Sequence, residues 1–135
     1  MFWFVVGIGL LLDQLSKYWI MGHFVYGQSV PIIPNVFHLT YILNTGAAFS
    51  MLSGRTWLLI IISIVALLGL FWYYRQTLKT QKIKRFALAC ITSGAIGNLI
   101  DRVYFGAVRD FFDFRIWPIF NIADCFVVVG VTLLI

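Results

Sequence analysis

Four apolar stretches, residues 2–21, 57–74, 86–104 and 119–135, set the limits on what this chain can fold into. A helix needs about 20 residues to cross a hydrocarbon layer of ~30 Å, and each stretch is close to that length. With 61% hydrophobic and only 11% charged residues, the chain lacks the polar surface of a water-soluble domain. The pattern predicts an all-α membrane protein with four transmembrane helices, forming one domain over residues 1–135. The first stretch also has the length of a signal-peptide core. It has no basic leading segment, however, and Asp13, Lys17 and Tyr18 stand where small cleavage-site residues belong, so a retained span is expected.

Orientation follows from the connection between the second and third spans. RQTLKTQKIKR carries Arg75, Lys79, Lys82, Lys84 and Arg85, half of the ten basic residues, and no acid. Such a loop stays on the cytoplasmic side. Both termini are then cytoplasmic, and residues 22–56 and about 105–118 face outward. All five acidic residues, every one an aspartate, fall toward the outer face: Asp13, Asp101, Asp110, Asp113 and Asp124. The net charge of +5 reflects anchoring beside anionic lipid, not a nucleic-acid partner. Cys90 lies ~16 Å deeper than Asp101 while Cys125 sits near the outer end of its span, so no disulfide is expected.

Pro31 and Pro34 exclude a helix from the outer segment 23–46. VFHLTYILN alternates instead, with Phe37, Leu39, Tyr41 and Leu43 on one face and His38 and Thr40 on the other, which predicts strands at the membrane surface. Backbone of this kind must lie at the interface or line a wet cavity, because lipid offers its amides no partners. GAAFSMLSGR, which follows, is expected to form a short amphipathic helix.

Ionisable residues within spans are costly and point to function when partners can be named. Asp13 and Lys17, at i and i+4, read as a self-neutralising helical pair. Gly94, Asn98 and Asp101 recur on one helix face with Arg102 one turn above Asn98, and Asn121 and Asp124 share a face at the start of the last span. Two carboxylates converging in a partly dry site cannot both ionise easily; one keeps a proton, the other activates water. That is the chemistry of aspartic peptidases and needs neither metal nor cofactor. His23 and His38 lack metal-ligand spacing, and no Ser or Cys has a recognisable His and acid partnership. The residues alone leave Asp101, Asp110 and Asp113 as candidates to pair with Asp124.

Five blocks in order, DQLSK at 13–17, NTGAAF at 44–49, GAIGNLIDR at 94–102, VRDF at 108–111 and FNIAD at 120–124, resemble the lipoprotein signal peptidase (signal peptidase II) family of bacterial membrane aspartyl peptidases. The resemblance implies a small extracytoplasmic β-cradle and a short surface helix beside the four spans. It implies Asp110 and Asp124 as the catalytic pair. Asn44, Gly46, Asn98, Arg102 and Asn121 would bind substrate or support the pair, with Asp13, Lys17 and Asp101 as structural polar residues. It further implies a diacylglyceryl prolipoprotein substrate cut immediately before the lipidated cysteine, in the bacterial cytoplasmic membrane, with membrane lipid as the other partner and a monomer as the working unit. Some features depart from the usual pattern: Ser93 stands where a second glycine is common, Arg109 is placed to modulate the pKa of Asp110, and the 14-residue step from Asp110 to Asp124 is short, so a compact loop over the site is expected. Asp113 is expected to be a surface charge near Arg115. A proton-coupled carrier, or a non-catalytic assembly protein using its polar residues only as interhelical hydrogen bonds, is a rival reading.

Overall fold

A computed structural model describes residues 1–135. The chain runs α1 (Phe2–His23), β1 (Ser29–Ile33), β2 (Phe37–Asn44), α2 (Thr56–Gln76), α3 (Lys82–Phe105), β3 (Val108–Asp113) and α4 (Ile122–Leu134). α1, α2 and α3 are long and apolar enough to cross a membrane. α4 is equally apolar but has 13 residues, about 20 Å of helix, short of a full ~30 Å crossing. Of the four expected spans, three are therefore met by length and composition.

α3 is the centre of the bundle. Its small residues Ala87, Ala89, Ser93, Gly94 and Gly97 are buried and let α1 and α4 pack closely on either side. The approach at Gly94 is tight enough that a Cβ there would come within 2.3 Å of the Ala123 carbonyl oxygen. α2 is different: only Leu59 is buried, and Ile61, Ile62, Val65, Leu68 and Trp72 point outward around it. A helix apolar on every side and buried at so few positions is solvated by lipid. At the other end of the connection, Arg85 donates to the Thr77 carbonyl (3.0 Å) and to the Tyr74 hydroxyl, stacking over the Tyr74 ring.

The three strands form one antiparallel sheet in the order β1-β2-β3. Pro31, which cannot donate to a ladder, lies on the edge strand β1, where the register shifts between Pro31 and Ile33. Tyr41 and Phe111 pack on Ile20, with Leu39 and Leu43 against them, fixing the sheet to the end of α1. The alternation read in residues 36–44 thus marks a real strand, though strand structure begins at Ser29, not at 23.

β3 was not anticipated. VRDFFD carries the β-branched and aromatic residues of a strand, but its short apolar run follows α3 after only Gly106 and Ala107 and shows no clean alternation. Gly106, at φ 68, ends α3 in the left-handed conformation and turns the chain into it. The amphipathic helix expected from GAAFSMLSGR is reduced to a single 3₁₀ turn, Ala48–Ser50. Phe49, Ser50 and Leu52 all have positive φ, so no α-helical run can form through them.

Candidate functional site

Strand alternation builds one wall of the site. Val108 and Asp110 of β3, with Ile42 and Asn44 of β2, line a cavity of ≈ 740 Å³; Arg109 and Phe111 face the other way. Asn98 and Arg102 of α3 and Asp124 of α4 complete its polar side, and Phe49, Trp117, Ile119, Val127 and Val128 are among its apolar lining.

Asp124 owes its position to the start of α4. Asn121 caps the helix: its side-chain oxygen accepts from the Asp124 amide (2.9 Å), while the Asp124 Oδ2 accepts from the Asn121 amide (3.1 Å). The Asn98 side chain donates to Asp124 Oδ1 at 2.9 Å. The Asn121 Nδ2 donates to Asp110 Oδ1 at 2.7 Å and to Asn98 Oδ1 at 3.1 Å. The two asparagines therefore form a bridge from one carboxyl group to the other. Asp110 is 1% exposed. Burial, and then the Asp124 carboxylate, push its carboxyl up to about 8; donors from Asn44 and Asn121 and the charge of Lys17 only partly oppose this. Asp110 therefore holds a proton at neutral pH.

Arg102 reaches into the same cavity, its Nη2 3.4 Å from the Gly46 carbonyl and its buried Nε without a protein partner. Gly46 donates to the Asn44 side-chain oxygen (2.9 Å), and the Asn44 Nδ2 donates to the Ala47 carbonyl (3.2 Å), so Asn44 also shapes the loop above the cavity.

Asp13, Lys17 and Asp101 lie behind the cavity, all fully buried. Lys17 donates to Asp13 at 2.8 Å, lies 3.4 Å from Asp101, and donates to Asn98 Oδ1 at 3.2 Å. The expected Asp13–Lys17 pair is thus one part of a larger network that touches the site through Asn98. Asp13 also accepts from the Ala123 amide at the start of α4 (2.9 Å). Asp101 points away from the cavity into a bidentate pair with Arg109.

Two sequence-based expectations change here. Arg109 does not face its neighbour Asp110; it is buried on the opposite side of β3. Asp113 does pair with Arg115 (2.9 Å), but it is only 5% exposed, because β3 pairs with β2 and brings it to the Thr40 hydroxyl (2.8 Å). Burial would raise its carboxyl; the donors from Thr40 and Arg115 outweigh that and hold it below the usual range. No three His, Cys or Asp side chains gather as a metal-ligand set.

The profile of the signal peptidase (SPase) II family matches residues 5–135. The chain belongs to the signal peptidase II family. A lipoprotein signal peptidase of Clostridioides difficile (strain 630) is 52% identical over 126 residues, covering 91% of this chain and 84% of the relative. One from Desulfitobacterium hafniense (strain Y51) is 47% identical over 133 residues, covering 98% and 88%. A bacterial membrane enzyme solved by the in meso method at 2.3 Å resolution superposes with a TM-score of 0.93 at 34% identity, covering 98% of this chain and 84% of that one. A second membrane enzyme structure, at 1.9 Å, gives a TM-score of 0.89, again at 34% identity. The fold is that of a membrane enzyme, and the family is one of peptidases.

Within this signal peptidase II family member, the polar blocks of the sequence divide by place. Asn98, Arg102, Asp110, Asn121 and Asp124 gather at or beside the cavity, whereas Asp13, Lys17 and Asp101 stand behind it. Gln14 is a member of the buried network that the sequence did not single out: its Nε2 donates to Asp13 and Asp101, and its Oε1 accepts from Arg109. Its position within DQLSK was the available signal, but a glutamine between charged residues carries no pattern of its own.

Proposed function

We propose that this chain, a lipoprotein signal peptidase by its family, acts as an aspartic endopeptidase on diacylglyceryl-modified prolipoproteins, cutting immediately before the lipidated cysteine, with Asp110 and Asp124 as its dyad. The observation that carries this reading is the Asn121–Asn98 bridge joining the two carboxyl groups at one cavity. Asp110, which holds a proton, donates it to the scissile carbonyl oxygen. Asp124 takes a proton from water as the oxygen of that water attacks the carbonyl carbon, and returns it to the departing nitrogen. Arg102, cationic at the cavity wall, stabilises the developing oxyanion and holds the peptide backbone, with Asn44 and Gly46 shaping the loop above. The apolar side chains of α4 offer the substrate's acyl chains a surface continuous with the membrane.

In this reading one domain crosses the membrane four times, with α4 as the fourth crossing. Both termini lie in the cytoplasm of a bacterium, and a monomer suffices. The five basic residues of 75–85 support that orientation. The test is cleavage of a diacylglyceryl prolipoprotein peptide by purified protein in the presence of a chelator. Asp110→Asn and Asp124→Asn should each cost about 10²–10⁴ in rate, the usual worth of a general acid or base, while the chelator has no effect. Cleavage at the normal rate by either folded variant refutes the dyad, and loss of activity on chelation refutes metal independence.

A further inference from the structure

Arg109 and Asp110 are neighbours on β3 and leave it in opposite directions. Arg109 is 4% exposed. Its amide and Nε donate to Asp101 Oδ2 at 2.9 and 3.1 Å, its Nη2 donates to Asp101 Oδ1 at 2.8 Å and to Gln14 Oε1 at 3.1 Å, and its guanidinium lies 4.5 Å from the Phe105 ring centroid. The rest of the strand's free edge is closed by backbone: the amides of Phe111 and Phe112 donate to the Phe120 carbonyl. At Arg109 the Asp101 carboxylate takes the place of a strand partner. The Arg109 carbonyl accepts at 3.3 Å from the Asn121 Nδ2 that also donates to Asp110 Oδ1. The peptide unit carrying Asp110 is thus held between an ion pair on α3 and an amide at the start of α4.

We propose that Arg109 is a positioning residue for Asp110: its forked pair with Asp101 fixes the height and tilt of β3 and so aims the Asp110 carboxyl at Asn121. The proposal rests on the reading of Asp110 as half of the dyad. Two cations, Lys17 and Arg109, and two carboxylates, Asp13 and Asp101, form a linear chain of ion pairs, Asp13–Lys17–Asp101–Arg109, of zero net charge. Removing the Arg109 side chain leaves Lys17, at 3.4 Å, as the one cation on Asp101 beside the Gln14 amide, and frees the strand at the point where its direction is set.

The experiment compares Arg109→Met, Arg109→Lys and the double variant Asp101→Asn/Arg109→Met, each scored per folded molecule by gel filtration, in cleavage of a fluorogenic diacylglyceryl peptide. A displacement near 1 Å of a reacting group costs up to about a hundredfold, so kcat of Arg109→Met should fall roughly 10- to 100-fold. KM should stay within about twofold, because Arg109 is absent from the cavity wall. Lysine keeps the charge but loses the fork, and should fall between wild type and methionine. The double variant leaves Asp13 and Lys17 as a balanced pair, so it folds even if Arg109→Met does not, and its kcat should also be low. Wild-type kcat per folded molecule in either methionine variant, or a loss confined to KM, overturns the proposal. Normal cleavage by Asp110→Asn in the same assay would instead remove the dyad on which it rests.

Discussion

Replacing Asp110 with asparagine should silence the enzyme and stabilise it, and the gain in stability should grow with pH. The folded carboxyl titrates at about 8 against an ordinary value of 3.8, through burial first and the Asp124 charge second. Between those values the folded chain keeps a proton that the unfolded chain has released. The native state binds more protons, so stability is full below the ordinary value and is lost as pH rises toward the folded one. One whole proton is worth about 1.4 kcal/mol per pH unit, so from about pH 5 to about pH 7.5 the wild type loses roughly 3 kcal/mol through this group. Asparagine has the same shape and an oxygen that still accepts from the Asn121 Nδ2, but it does not titrate. The advantage of the variant should therefore widen over that range by roughly 2–3 kcal/mol, on the order of 6–12 °C in Tm for a chain of this length. The assay is thermal unfolding followed by tryptophan fluorescence in lipid-supplemented detergent, with both proteins at each pH. Only their difference is used, so groups that titrate alike in both cancel. A difference that stays flat across the range, or narrows as pH rises, refutes the argument that Asp110 holds a proton in the fold.

If Asp110 is the proton donor proposed above, the same proton should appear in catalysis, with kcat falling as pH rises through about 8, where its carboxyl ionises. Asp124→Asn removes the second cause of that elevated value and leaves the first, burial, so the Asp110 titration read from Tm against pH should move down yet stay above 3.8. Gly94→Ala would place a Cβ 2.3 Å from the Ala123 carbonyl oxygen, and should cost at least about 1–3 kcal/mol in unfolding free energy; Gly69→Ala, in open space on α2, should cost nothing. Lys17→Met should cost about 3–5 kcal/mol by chemical denaturation, because it leaves the buried Asp13 without its cation, while Asp13→Asn/Lys17→Met should cost less than the single change.

Hydropathy made the bundle legible, because lipid imposes length and apolarity on every span. The ends of the spans are set by other forces. α3 begins at Lys82, not near Phe86, since basic residues at the inner surface can wind as helix while facing water and headgroups. α4 begins at Ile122, not near 119, because Asn121 caps it and Phe120 is bridged to Phe112 of β3. The short loop helix failed for a backbone reason, the run of left-handed residues, that composition does not display. In the site, helical spacing found the faces of Asn98 and Arg102 and of Asn121 and Asp124. It could not separate Asp101, Asp110 and Asp113, because their difference lies in which side of a strand each meets. β3 turns Asp110 into the cavity, commits Arg109 to Asp101, and buries Asp113 against Thr40. Those are tertiary choices made by pairing with β2 and packing on α3.

The capping box at the start of α4 gives Asp124 two duties that cannot be varied separately. One of its oxygens completes the helix N-terminus through the Asn121 amide, and the other receives Asn98 at the cavity. An inhibitor anchored to this carboxylate would grip a residue whose replacement also unsettles the first turn of the helix that presents it. Escape by substitution at that position would carry a folding cost in addition to any loss of the chemistry proposed for it, which makes Asp124 a harder target to mutate away than the exposed apolar lining around it.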